Sequence, residues 1–452
     1  MAGDKPRMRV GIVTLGCDKN TVDNEHLAGL LDEAGCEVVP SPSLDGPEEL
    51  DAVVIATCGF ICDAKEQSIS CILEWGGRKR ESGGRLRLFV TGCLAQRYAE
   101  ELLAEMPEID GIAGVGQLES LSDLLWRAGA PRNIVAAEPR VEGCGFSRRK
   151  RLDDKPYAFL KIADGCNHAC TFCAIPGMKG PLRSVPGEAL LREARGLLDQ
   201  GVRELVLVAQ DVAAYGQDRD RRYRLPELLR DLCALEGDFW VRCMYCYPGG
   251  ITDALVETLR QESKVTPYLD IPLQHLDEEV LCAMRRPCRE VDVFALVERL
   301  RRDVPGVVLR TTLLAGFPGE TPAAHRRLLE GMKRLRFDWL GAFPYSEEEG
   351  TPAAEMKQVG KRTRDKRWRE VMELQARITA ERNEARVGRR VRVLVEEFDA
   401  VRSMWMGRSA GEAPEVDGAV FFEAEGPVAP GDFVEVVLTR AETYDVFGRA
   451  VA

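Results

Sequence analysis

Three times near its start the chain runs from a short β-rich apolar segment into a turn bearing a cysteine, and then into a helix-like stretch. Residues 8–15 end at Gly16-Cys17 and precede residues 20–34, where Leu27, Leu30 and Leu31 recur at helical spacing. Residues 51–56 end at Thr57-Cys58-Gly59 before a helical pattern that reaches Leu73, and residues 86–90 end at Thr91-Gly92-Cys93 before residues 94–106. Repeated βα units call for a parallel sheet with helices on its faces. Ligands of such sheets bind beyond the carboxyl ends of the strands, and Cys17, Cys58 and Cys93 all fall on that edge. Free cysteine is most often a small buried apolar residue. Three at equivalent strand ends are better explained by one shared thiolate site.

The pattern resumes further on. Apolar runs at 157–163, 204–209, 239–244, 268–272, 307–314 and 339–343 alternate with helical stretches such as 188–198, which Gly201 ends. Six βα units suggest an incomplete (βα)6 barrel, with its chemistry at the strand carboxyl ends. Those ends carry Gln210-Asp211, Gln274-His275, Gly316-Phe317-Pro318-Gly319-Glu320 and a C-x3-C-x2-C loop formed by Cys166, Cys170 and Cys173. From residue 389 onward, short β-rich runs with Gly and Pro turns indicate a small antiparallel β-barrel. The expected organisation is therefore α/β over 8–140, a partial barrel over 152–380 and a β-barrel over 387–452. Residues 129–151, ending in Arg148-Arg149-Lys150-Arg151, read as a connector. In the charged segment 361–386, the basic run Lys361, Arg362, Arg364, Lys366, Arg367 and Arg369 reads as a solvated helix face or a phosphate contact. Cys243 and Cys246 read as packing residues of a strand.

Three thiolates on one tight loop can hold three irons of a 4Fe-4S cube, leaving the fourth iron open. An open position on such a cluster suits a small chelating ligand, and S-adenosylmethionine (SAM) offers an amino and a carboxylate group. A zinc site would ordinarily pair C-x2-C with further ligands along the chain, and no such partner motif stands here.

The 452 residues are 45% hydrophobic and 30% charged, as expected of a soluble globular protein of several domains. No apolar run approaches a membrane span, and residues 1–9 lack a secretory core, so a cytoplasmic location is expected. Fifteen cysteines scattered along the chain do not read as a disulfide framework. The net charge of −11 argues against a general nucleic-acid binder.

With the six cysteines placed, the chain resembles the methylthiotransferases of the radical-SAM enzymes. The resemblance rests on Leu15-Gly16-Cys17 with Asn20, on Thr57-Cys58-Gly59-Phe60-Ile61, on Gly92-Cys93-Leu94-Ala95-Gln96-Arg97-Tyr98, and on the triad with Phe172 just before its third cysteine. Ala209-Gln210-Asp211, Leu269 to His275, Gly316 to Thr321 and Ala413 to Gly418 look most like the branch that modifies an aspartate of ribosomal protein uS12. The resemblance implies two 4Fe-4S clusters, one on Cys166, Cys170 and Cys173 and one on Cys17, Cys58 and Cys93. It also implies SAM as cofactor, with Phe172, Gln210, Asp211 and Gln274 as expected contacts, and a C-terminal TRAM domain. The implied reaction adds a methylthio group to the β-carbon of the aspartate, with electrons from a donor such as flavodoxin or ferredoxin. No catalytic residue beyond the clusters is assigned. Ala56 stands where the family usually has Asn. The competing readings are methylthiolation of a tRNA adenosine by the related branch, and a non-catalytic iron-sulfur redox protein.

From residue 387 to the end there are seven arginines, no lysines and twelve acids. Such a module is poorly charged for tRNA and suited to a basic ribosomal protein. Glu412, Glu415 and Asp417 are expected to steer that partner.

Overall fold

The computed structural model describes residues 7–46, 49–126, 133–135, 149–287 and 290–451. The N-terminal region is a wholly parallel six-stranded sheet in the order Glu37–Pro40, Arg9–Thr14, Ala52–Thr57, Arg87–Gly92, Gly111–Ala113, Asn133–Val135. The central three are those expected. The other three are three or four residues long, too short to show a period of two. One of them, Asn133–Val135, lies in the expected connector, most of which falls outside the described residues.

Helix Asp18–Glu33 has little one-sided amphipathicity because it is covered on two sides. Leu27, Ala28 and Leu31 pack into the core of their own sheet, while Val22 joins the cluster inside the neighbouring barrel. Each such fully buried Val or Leu stabilises the fold by roughly 1.5–3 kcal/mol. The polar residues on this helix also face the barrel. Asp23 pairs with Lys161, His26 lies 3.2 Å from Glu193, and Lys19 sits 3.7 Å above the Tyr245 ring. Arg149, expected in a basic connector, is buried between Glu25 and Glu193.

The central sheet is also parallel throughout: Tyr157–Lys161, Glu204–Val208, Trp240–Cys243, Val265–Asp270, Val308–Ala315 and Trp339–Pro344 pair in chain order. The first and last do not pair with each other, so the barrel is incomplete. Alternate residues face opposite ways, as strand geometry requires. Ala158 and Leu160 join the large core under the helices, whereas Tyr157 and Phe159 join the luminal cluster with Val206, Val208, Tyr268 and Trp339. Cys243 and Cys246 are fully buried in the outer core; the strand ends at Cys243, so only the first belongs to it.

The C-terminal region is a closed five-stranded barrel of Arg390–Asp399, Met404–Ser409, Val420–Glu423, Phe433–Ala441 and Val446–Ala450. Its pairs are antiparallel except Val420–Glu423 with Val446–Ala450. The loop after Ser409 closes the amino-terminal end of the central barrel, opposite the cysteines. Trp339 donates to Gly411 O at 2.7 Å, Arg242 to Ala410 O at 2.9 Å and Tyr268 to Asp417 at 2.6 Å. Glu204 is shared by Arg242 and Arg408, each at 2.6 Å and all three buried. Among the described residues no helix is long and apolar enough to cross a membrane.

Candidate functional site

Each set of three cysteines has a backbone reason for its shape. Cys17 precedes helix Asp18–Glu33, Cys58 follows strand Ala52–Thr57, and Cys93 opens helix Cys93–Arg97 directly after strand Arg87–Gly92. Gly92 has φ of 96°, and a Cβ there would lie 2.4 Å from Thr57 O, so only glycine lets the chain turn Cys93 toward its neighbours. Asn20 fastens this edge by donating to Leu15 O at 2.7 Å and Thr57 O at 3.2 Å. Cys93 is buried, Cys58 half-buried and Cys17 exposed, so the site is open on the Cys17 side.

The second set lies on a loop whose base is a two-stranded ladder, Ala163–Asp164 with Arg183–Ser184, which sequence reading missed. Gly165, with φ of 76°, passes so close to Pro181 O that an added Cβ would lie 2.1 Å from it. Cys166 N donates to Gly180 O at 3.1 Å, Thr171 N to Met284 O at 3.1 Å and His168 N to Cys166 Sγ at 3.4 Å. The loop is thereby fixed before any ligand binds.

Burial pushes the Cys93 thiol up to about 12, the Cys173 thiol to about 12, the Cys166 thiol to about 11, and the Cys58 thiol upward. Within each set the thiols also raise one another, and the N-terminal turns adjoin: a Cβ on Gly16 would lie 2.9 Å from Cys58 Cβ and one on Gly59 3.0 Å from the Cys93 carbonyl carbon. In each set a cation acts against this rise, and buried Lys19 is a further cation beside Cys17. Lys179 lowers Cys93 and Cys58, while Arg286 lowers Cys166 and Cys173 and stands 3.9 Å from Cys170 Sγ. Among the described residues no three His, Cys, Asp or Glu side chains converge as they would on a single metal ion. Thiolates at the corners of a cube stand further apart than ligands of one ion. The donor set, all sulfur and three per site beside a cation, suits the implied clusters.

One short helix, Ile175–Lys179, separates the sets. It starts two residues after Cys173, and its Met178 packs with Ala174 and Ile175 against Cys93. Of the expected SAM contacts, Asp211 is buried and committed: Oδ2 lies 2.7 Å from His168 Nε2, and Oδ1 accepts from Tyr247 N at 3.1 Å. The Gln210 Oε1 atom is buried without a hydrogen-bond partner, an acceptor held ready at the strand end. Gln274 adopts φ of 71°, uncommon for a non-glycine residue, and its backbone is tied to Thr312 O at 2.8 Å and Leu314 N at 2.7 Å. Phe172 meets Phe317 edge-on at 6.4 Å and so packs beneath the loop.

Three regions match known families: residues 9–114 the uncharacterized protein family UPF0004, residues 160–330 the radical SAM superfamily and residues 387–451 the TRAM domain. Over 445 residues, 98% of this chain and 100% of the relative, the sequence is 42% identical to ribosomal protein uS12 methylthiotransferase RimO of Lachnoclostridium phytofermentans. The protein of the same name from Desulfitobacterium hafniense is 43% identical over 98% of each chain. The chain belongs to the uS12 methylthiotransferase family. Among solved structures, the radical SAM methyltransferase TsrM of Kitasatospora setae, with cobalamin and a 4Fe-4S cluster bound, aligns at TM-score 0.57 and 15% identity over 77% of this chain and 74% of that one. At that identity the likeness speaks for the fold alone.

For a uS12 methylthiotransferase, this chain's triad loop has neighbours that the motifs alone did not disclose. The Tyr247 ring stacks on His168 at 3.6 Å and receives the Arg286 guanidinium at 4.1 Å. His168 lies inside the cysteine motif, a signal that was available; Tyr247, Arg286 and Lys179 come from unremarkable contexts. Glu320 of the Gly-Phe-Pro-Gly-Glu turn is buried. Its carboxylate lies 3.0 Å from His325, 3.8 Å from His275 and 3.5 Å from Arg367. Burial would raise this carboxyl, but the two imidazoles and the guanidinium hold it down at about 2.

Two expectations about surface charge need correction. Glu412 and Asp417 are buried, paired with Arg386 at 2.6 Å and Arg310 at 3.3 Å, and Glu415 binds Lys155 at 2.7 Å and Tyr157 at 2.9 Å. Asp417 and Glu415 join the C-terminal barrel to the central one and Glu412 is tied to Arg386, so none of the three is an unpaired charge left to steer a basic partner. In helix Lys361–Glu384, Lys361, Arg362, Lys366 and Arg369 are exposed. Arg364 donates to Tyr345 O at 2.7 Å and the buried Arg367 to Glu320 O at 2.7 Å. Part of the basic run therefore faces inward.

Proposed function

We propose that this chain transfers a methylthio group to the β-carbon of an aspartate in ribosomal protein uS12, using SAM and two 4Fe-4S clusters. Cys166, Cys170 and Cys173 would hold one cluster and Cys17, Cys58 and Cys93 the other. The observation that carries this reading is the packing of Cys93 against the short helix that follows Cys173, which brings the two thiol sets to either side of a single element. When bound, the clusters and SAM supply the radical, sulfur and methyl chemistry of the family. The chain's own residues order the site. Asp211 holds His168 and the Tyr247 backbone, Arg286 lies against the triad, and the polar helix face of Lys19, Asp23 and His26 seals the side of the barrel against water.

The full-length relatives named for uS12 support that substrate over a tRNA adenosine. A cytoplasmic setting, where ribosomal protein and a flavodoxin- or ferredoxin-like donor are at hand, fits this reading. Reconstituted enzyme is to be offered uS12 and an anticodon stem-loop together with SAM and a reductant. Mass spectrometry is expected to find the methylthio group on uS12. Modified RNA with untouched uS12 would transfer the assignment to the tRNA branch, and absence of 5′-deoxyadenosine would leave only a redox protein.

A further inference from the structure

Lys179 ends the short helix between the two cysteine sets and is almost wholly buried, at 2% side-chain exposure. Its ammonium donates to both oxygens of the buried Asp164, at 3.0 and 3.1 Å. Asp164 also accepts from Gly165 N at 3.0 Å and pairs at 3.4 Å with Lys161, which in turn binds Asp23. Two lysines and two carboxylates thus form one buried network running from the triad loop to helix Asp18–Glu33. A buried ion pair is seldom a source of stability, since apolar residues of the same volume do as well or better. Its presence here calls for another reason.

That reason lies on the far side of Lys179. The lysine lines a cavity of about 10 Å³ together with Asn20, Ala56, Thr91 and Gly92, the residues that set the strand ends beneath Cys17 and Cys93. Burial alone would drive its pKa down, but Asp164 first, then Cys93, Asp23 and Cys17, hold it above the ordinary lysine value. Asp164 does not line that cavity, and Met178, next to Lys179, packs against Cys93.

We infer that Lys179 is the positioning residue that supplies a positive charge on the Cys58 and Cys93 side of the site of Cys17, Cys58 and Cys93, with Asp164 anchoring that charge to the strand carrying the triad loop. The inference rests on the reading that those three cysteines hold a cluster. A fixed cation beside a redox centre favours its reduced, more negative form. It also gives an anionic sulfur a compensating charge in a place shielded from water.

The test uses the full-length chain carrying Cys166→Ala, Cys170→Ala and Cys173→Ala, reconstituted with iron and sulfide so that only the N-terminal site can be loaded. The midpoint potential is read by redox titration followed by electron paramagnetic resonance. Lys179→Met is expected to lower the potential and Lys179→Arg to leave it near the parent value. Unchanged potential in Lys179→Met overturns the inference. Should that variant fail to fold, the paired variant Lys179→Met with Asp164→Asn, which leaves no unpartnered carboxylate, is titrated instead. It is expected to shift the same way, because Lys179 and not Asp164 lines the cavity beside Thr91 and Gly92; no shift overturns the inference. A parent that binds no iron sinks the cluster reading itself, an outcome distinct from failure at Lys179.

Discussion

Cys166, Cys170 and Cys173 come from one loop, pinned at its base by a two-residue ladder, whereas Cys17, Cys58 and Cys93 arrive from the ends of three parallel strands. The first site is shaped locally and can keep its form as long as the loop is tied to Met284 and Gly180. The second exists only when the whole sheet is assembled in register. Their charges differ in the same way. Arg286, beside the triad, also lies on Tyr247, while Lys179, whose charge acts on Cys93 and Cys58, is contributed by the other domain.

The sharpest way to break this comparison is to remove each set in turn. Replacing Cys166, Cys170 and Cys173 by alanine is expected to abolish release of 5′-deoxyadenosine. Replacing Cys17, Cys58 and Cys93 is expected to preserve it while stopping sulfur insertion into uS12. Equal loss from both would show that the sites do not divide the labour.

A smaller effect separates the two glycines. Gly92→Ala forces a Cβ into Thr57 O within the sheet, so it should cost on the order of 3 kcal/mol of global stability, read by denaturant melts. Gly165→Ala strains only the loop against Pro181 O. It should lower iron retention at the triad with a lesser change in the melt. The reverse pattern would contradict the local-versus-assembled distinction.

Glu320 gives the comparison a pH axis on the triad side. Its carboxyl is held at about 2 against an ordinary 4.5, so its stabilising contribution is full above pH 4.5 and is lost as pH falls toward 2. Wild type is expected to exceed Glu320→Gln by on the order of 3 kcal/mol near neutrality, with the gap closing in acid. A gap that stays constant with pH would show that Glu320 is not ionised in the folded protein. The smallest effect belongs to Glu415, whose half-exposed pair with Lys155 is worth about 0.5 kcal/mol. Glu415→Ala should leave uS12 turnover at low salt unchanged, and a marked salt-dependent loss would restore a steering role.

What could be read in advance followed from how local each signal was. The triad, the three strand-end cysteines and all six barrel strands were legible because period and spacing carry them. Glu37–Pro40, Gly111–Ala113 and Asn133–Val135 were not, since strands that short are made by their neighbours. The ladder beneath the triad and the Lys179–Asp164 pair were invisible because they join residues with no shared pattern. Charge counting misled at Glu412, Glu415 and Asp417, because a sequence does not reveal which acids are already paired. Their partners, Arg386, Lys155 and Arg310, lie outside the strands of the small barrel.

The central claim is that Cys17, Cys58 and Cys93 form a second cluster site of their own. Iron content of the reconstituted Cys17→Ala, Cys58→Ala, Cys93→Ala chain tests it most directly. About half the wild-type iron, with 5′-deoxyadenosine release intact, is the predicted result; full iron retention would contradict the account.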